Sequence, residues 1–203
     1  MKYRASVLFA LSLVCGCGDD DNKDTGASGG SCKANVACGG DITGTWTITE
    51  SCVARLVGTA SCPGLVGDGS RVQQRGTVTY NSNGTYSANT TTTGLLRVTY
   101  PAECISSLSC LEVEQRVTTS LPAGYESATC VDAGGNACTC DFTLSSQAST
   151  DSGTYSTSGN RLTQMGAASQ VSAEYCVTDK ELKLTVRSTT SNDVSETFTL
   201  QRQ

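Results

Sequence analysis

An all-β body of antiparallel strands is the fold this sequence predicts, and three observations predict it. From Gly44 onward, apolar and polar residues alternate with a period of two, as in Thr45-Trp46-Thr47-Ile48-Thr49. That spacing puts Trp46 and Ile48 on one strand face. The alternating runs are short and separated by Gly, Asn, Asp and Ser, the residues of tight turns, and no stretch carries convincing helical spacing. The chain also holds 12 cysteines in 203 residues, a density that suits a disulfide-stapled body outside the cytosol. About ten short strands at close spacing imply a β-barrel or, alternatively, a β-sandwich.

Taken in order, the chain opens with Lys2 and Arg4 and then the apolar run Ala5-Ser6-Val7-Leu8-Phe9-Ala10-Leu11-Ser12-Leu13-Val14. A membrane-spanning helix needs about 20 apolar residues, so the run is too short to span and reads as a signal peptide. Its end, Cys15-Gly16-Cys17, resembles the lipobox of bacterial lipoproteins, with small Gly16 before the acylated cysteine and Val14 three positions ahead of it. The resemblance implies residues 1–16 as the leader, Cys17 as the lipidated residue, and attachment to a membrane through that lipid. In that family the residue after the cysteine influences sorting; Gly18 is not the aspartate of inner-membrane retention, which makes the outer membrane the expected address. Residues 17–31 are polar, acidic and rich in Gly and Ser, as a solvated tether would be. Asp19-Asp20-Asp21-Asn22-Lys23-Asp24 lacks the glycine and closing glutamate of a calcium loop.

Residues 32–203 form the expected cysteine-rich β domain. Val78 and Tyr80 alternate with threonines, and Asn81-Ser82-Asn83-Gly84 is a turn signal, so residues 76–90 read as a hairpin. Leu96, Val98 and Tyr100 make another inward row, and Leu111 and Val113, alternating with Glu112 and Glu114 and continued by Val117, read as a further strand. Phe142 and Leu144, Tyr155, Leu162, Tyr175 and Val177, Leu182 to Val186, and Phe198 with Leu200 complete the series. Residues 52–72 and 101–140 read as cysteine-stapled insertions between strands. A phrase of Gly, Thr, an aromatic and a hydroxyl residue recurs at Gly44, Gly84 and Gly153, with the aromatic expected inward.

This pattern resembles small bacterial lipocalin-like domains, through the early Gly44-Thr45-Trp46 and the late hairpin Gly153-Thr154-Tyr155-Ser156-Thr157-Ser158-Gly159-Asn160-Arg161-Leu162-Thr163. Val177 to Leu184 looks like a second such hairpin. The resemblance implies an antiparallel barrel in which a late-strand arginine, Arg187 or Arg202, covers the tryptophan. The family's middle Thr-Asp-Tyr is missing, because Lys180 follows Thr178-Asp179.

The ten cysteines beyond the anchor (Cys32, Cys38, Cys52, Cys62, Cys104, Cys110, Cys130, Cys138, Cys140 and Cys176) form an even set that reads as five disulfides. Short loops suggest Cys32 with Cys38, Cys52 with Cys62, Cys104 with Cys110, and Cys130 with Cys138 or Cys140, the remaining one going to Cys176. Cys138-Thr139-Cys140 lacks the spacing of a zinc knuckle or a redox motif; on a strand both sulfurs share a face and reach separate partners. No metal or cofactor is implied.

Histidine is absent, which excludes Ser-His-Asp and Cys-His nucleophiles and histidine metal ligands. The paired carboxylates Glu112 and Glu114, or Asp132 and Asp141, are the remaining catalytic candidates, and a solvated strand face explains the first pair better. Fourteen basic residues fall to twelve once Lys2 and Arg4 leave with the leader, against 19 acidic ones; with no basic patch, nucleic acid is not an expected partner. The expected role is a non-enzymatic structural or interaction domain at the cell envelope, with another envelope protein as partner. The alternative is a lipocalin-like binder of a small apolar ligand.

Overall fold

The computed structural model describes residues 32–53, 56–59, 62–167, 170–187 and 194–203. The leader, Cys17 and the tether therefore lie outside the described residues. Among those described, ten strands and two short helices follow in the order β1 (Gly44–Val53), β2 (Leu56–Thr59), β3 (Cys62–Tyr80), β4 (Thr85–Tyr100), α1 (Ala102–Ile105), α2 (Cys110–Thr119), β5 (Tyr125–Gly134), β6 (Ala137–Ser158), β7 (Arg161–Gly166), β8 (Gln170–Thr178), β9 (Glu181–Arg187) and β10 (Val194–Arg202). The fold is all-β and its strand pairs are antiparallel. The sheet runs β1-β10-β9-β8-β7-β6-β4-β3-β2, with β5 added on β6, and β1 also pairs with β3.

The alternation read from the sequence becomes the main core. Trp46, Val78, Tyr80, Tyr86, Leu162, Tyr175, Leu182, Leu184, Phe198 and Leu200 are all buried in one cluster. The three expected hairpins are present: Tyr80 opposes Tyr86, Ser158 opposes Arg161, and Thr178 opposes Glu181. In the recurrent phrase, Trp46 and Tyr86 are buried and Tyr155 packs half-buried against the same cluster, its ring edge-on to Tyr80 at 5.0 Å.

Two long ribbons carry β3, β4 and β6 past that core into a second one, made of Val98, Ile105, Val113, Ala128, Cys138, Cys140 and Phe142. Leu96, Val98 and Tyr100, expected as one inward row, and Phe142, expected in another, meet here. On β4 the buried positions stay even-numbered from Tyr86 to Val98. Its neighbours keep the same face apolar by bulging. Three steps on β3, Asp68 to Arg71, oppose two on β4, and three on β6, Leu144 to Gln147, again oppose two. Each extra residue switches which parity faces inward. On β6 the buried Cys138, Cys140 and Phe142 are even-numbered, whereas Tyr155, against the main core, is odd. Gly94 sits at the register shifts with φ 118°, and a Cβ there would meet the Arg71 carbonyl oxygen at 2.1 Å; only glycine allows that approach.

Two expectations about this region are corrected. Residues 62–72, expected within an insertion, belong to one continuous strand, β3, which is laddered to β4 from Val66 onward. Residues 110–119 are helix and not strand. Ser109 and Glu112 make a reciprocal capping box: the Ser109 side chain accepts from the Glu112 N–H, and Glu112 Oε2 accepts from the Ser109 N–H at 2.8 Å. That satisfies helix-start donors. Cys110, Val113 and Val117 then face the second core at helical spacing, while Leu111 is exposed.

All ten domain cysteines are paired: Cys32–Cys52, Cys38–Cys176, Cys62–Cys104, Cys110–Cys138 and Cys130–Cys140. The pairing Cys130–Cys140 was one of the two expected for Cys130, and Cys138 and Cys140 do reach separate partners. The other short-loop pairings are wrong, as is Cys176 with Cys138 or Cys140. Partners are set by which strands lie side by side: Cys130 directly opposes Cys140 with Cα atoms 4.0 Å apart, whereas Cys38 reaches across 138 positions to Cys176.

Cys32–Cys52 and Cys38–Cys176 fasten residues 32–43, which lie as a strap across β8 and β9. Cys38 and Gly39 donate backbone N–H bonds to the Tyr175 carbonyl, and Val177 donates to that of Gly39. Asn35 donates through its backbone to Thr185 Oγ1 at 3.0 Å and through its amide to the Leu184 carbonyl. Thr185 lies between the core residues Leu184 and Val186, and with the strap against it is itself 1% exposed.

Candidate functional site

Trp46 is the most buried aromatic, at 0% exposed. Its position on β1 turns the ring inward, where its Nε1–H donates to the Ile42 carbonyl at 2.8 Å. Of the two arginines expected to cover it, Arg202 does so, from the end of the last strand. Its guanidinium carbon stands 4.4 Å from the ring centre, and its two nitrogens donate to the Thr43 and Asp41 carbonyls. Arg187 pairs with Glu174. Gly44, with φ 135°, leaves room for this stack, since a Cβ there would sit 3.0 Å from Arg202 Nη1.

Farther inside, Tyr80, Tyr86, Thr90, Asp151, Gln164 and Phe198 are among the residues around a cavity of about 50 Å³, measured as space open to the centres of water-sized molecules. Its polar groups serve one another. Tyr86 donates its hydroxyl proton to Asp151 Oδ2 at 2.5 Å, Gln164 Nε2 donates to the Tyr80 hydroxyl at 2.9 Å, and Gln74 Nε2 to Thr90 Oγ1 at 3.4 Å. Burial pushes both phenols above their ordinary range, Tyr86 being raised further by Asp151. They stay protonated at any ordinary pH, and so act as hydrogen-bonding wall groups and not as nucleophiles. Space of this size holds a few waters.

The carboxylates singled out in the sequence are dispersed among local duties. Glu112 caps α2, and Glu114 Oε2 accepts the Cys130 N–H at 2.7 Å. Asp132 accepts the Gly134 N–H in the β5–β6 turn. Asp141 is held from two sides, by Arg97 through both carboxylate oxygens and by Arg71 at 2.9 Å. Asp132 opposes Cys138 and Asp141 opposes Thr129, so the ladder keeps the two apart. Asp151 and Glu196, the interior-facing acids, were missed because Thr150-Asp151-Ser152 and Ser195-Glu196-Thr197 look like any solvated strand; only the register of β6 and β10 turns them inward.

No family model, no curated protein and no solved structure matches this chain. The functional reading therefore stands on the sequence motifs and the geometry.

Proposed function

We propose that this chain is a lipid-anchored cell-envelope protein whose body is a lipocalin-like eight-stranded barrel with a filled interior, working as a non-enzymatic structural or interaction module. Support for the barrel comes from the pairings, which run from β1 through β10, β9, β8, β7, β6, β4 and β3 and return to β1. The Trp46–Arg202 stack, joining the first and last strands of that circuit, supports it too.

The observation that carries the functional reading is the interior volume. Sites for drug-sized ligands occupy about 300–1,000 Å³, against about 50 Å³ inside the circuit. Tyrosines and leucines occupy the space that a ligand cup would leave open. The anchor rests on Gly16-Cys17 and its apolar leader. Durability outside the cell is supported by the five disulfides, with bridges spread over β1, β3, β5, β6 and β8.

Mass spectrometry of the native protein from membrane fractions tests this directly. The expected product begins at an acylated Cys17, carries five disulfides and retains no ligand in the barrel. An unacylated chain with an intact leader, recovered from the cytosol with free thiols, would overturn the reading.

A further inference from the structure

A second pocket, larger than the circuit's interior, lies outside the strand circuit. Between α2 and the extended ribbons, Val117 and Pro122 face Leu96 and Val98 of β4, Tyr125 of β5 and Phe142 of β6 across a pocket of about 300 Å³. Measured the same way, the circuit's interior offers about 50 Å³. An enclosed dry cavity of about 150 Å³ takes up benzene; this pocket is partly open to solvent, and its volume has room for a molecule of roughly two fused rings.

A gap that size under an ordinary surface helix would close by the helix settling inward. Here α2 is tied at two points. Cys110 at its first residue is bonded to Cys138 of β6, Glu114 one turn later accepts the Cys130 N–H of β5, and Cys130 is itself bonded to Cys140. The helix is thus fixed to both strands beneath it, and the pocket is preformed, which lowers the cost of binding. The wall carries two phenols as well. The Tyr100 and Tyr125 hydroxyls have no hydrogen-bond partner among the described residues, and no unpartnered side-chain oxygen is buried. An apolar body with polar tips at its rim favours a ligand with one hydrogen-bonding group.

We infer that the pocket between α2 and the β4–β6–β5 ribbon is a binding site for a compact apolar molecule, about two rings in size, bearing a single polar group. The site is separate from the barrel interior and depends neither on barrel closure nor on the lipid anchor.

The probe that tests it is 2-naphthol, titrated into the full chain and followed by amide NMR shifts. Saturable one-to-one binding is expected, with shifts clustered at Leu96, Val117 and Tyr125 and none at Leu184 or Phe198. Val117→Glu, which puts a charge in the pocket wall, is expected to weaken binding at least about tenfold. Tyr125→Phe keeps the wall and removes one hydroxyl, and is expected to weaken binding about three- to tenfold; it and the shift map decide the matter if Val117→Glu does not fold. Shifts confined to the barrel interior, unsaturable binding, or full affinity in Tyr125→Phe together with unmoved pocket amides would overturn the inference. None of those results would bear on Cys17 acylation or envelope location.

Discussion

The guanidinium carbon of Arg202 lies 4.4 Å from the centre of the Trp46 ring. One residue begins the described strand circuit and the other ends it. The arginine also bonds the Thr43 and Asp41 carbonyls, so one side chain ties the last strand to the turn that feeds the first. A cation–π contact contributes about 1 kcal/mol when exposed and about 2 kcal/mol when desolvated, and partly buried Arg202 lies between the two. Arg202→Ala is expected to destabilise the fold by an amount in that range or more, and Arg202→Lys to recover only part, since lysine lacks the planar fork. Urea unfolding followed by the emission of Trp46, the single tryptophan, measures both; an unchanged midpoint in Arg202→Ala would remove the clasp from the account.

The disulfides differ in the length of chain they close. In the chain-entropy account, Cys38–Cys176, with separation 138, restrains the unfolded chain by about 5 kcal/mol, and Cys130–Cys140, with separation 10, by about 3 kcal/mol. Replacing Cys38 and Cys176 together by serine should therefore lower the melting temperature more than replacing Cys130 and Cys140. Calorimetry of the two double variants gives the order, and a reversal would mean that local strand pairing outweighs loop closure.

Acid should loosen the outer face of the β3–β4–β6 ribbon. Arg97, and then Arg71, hold the Asp141 carboxyl below its ordinary range. A depressed folded-state pKa contributes stability that is present above the unfolded value, about 3.9, and is lost as pH falls through the folded value. The pair is partly exposed, so the effect is small, at most about 1 kcal/mol, and weakens with salt. Unfolding midpoints between about pH 5 and pH 2 should fall more steeply in the native chain than in Asp141→Asn; parallel slopes would refute the assignment.

Glu196 works in the other direction. It shares the inward face of β10 with Phe198 and Leu200 and opposes Val53 and Val186. Burial pushes its carboxyl up to about 8. A carboxyl raised in the folded state is easiest to bury when protonated, so stability is greatest below the unfolded value of about 4.3 and declines as pH rises toward 8. Glu196→Gln should match the native chain near pH 4 and exceed it increasingly up to pH 8. Denaturant titrations across that interval check it, and a constant difference would show that the carboxyl is solvated.

Much of the fold could be read from the chain because period-two alternation is a local signal. Trp46 and Ile48, Tyr80 and Tyr86, and Leu182 to Val186 were each placed on a buried face by their spacing alone. The helix at 110–119 was hidden because Leu111-Glu112-Val113-Glu114 satisfies the strand period over four residues. The capping pair Ser109 and Glu112, with Cys110, Val113 and Val117 at helical intervals, was the signal that identifies it. Asp151 and Glu196 had no such signal.

By itself the sequence determined the strand pattern, the hairpin turns and the even set of thiols, because each depends on residue type and on neighbours a few residues away. Tertiary structure alone decided that Arg202 and not Arg187 covers Trp46, that Cys38 reaches Cys176, and that a pocket opens between the end of α2 and the β4–β6–β5 ribbon. Those outcomes depend on which strands come to lie side by side and where a bulge shifts their register, and such relations join residues far apart along the chain.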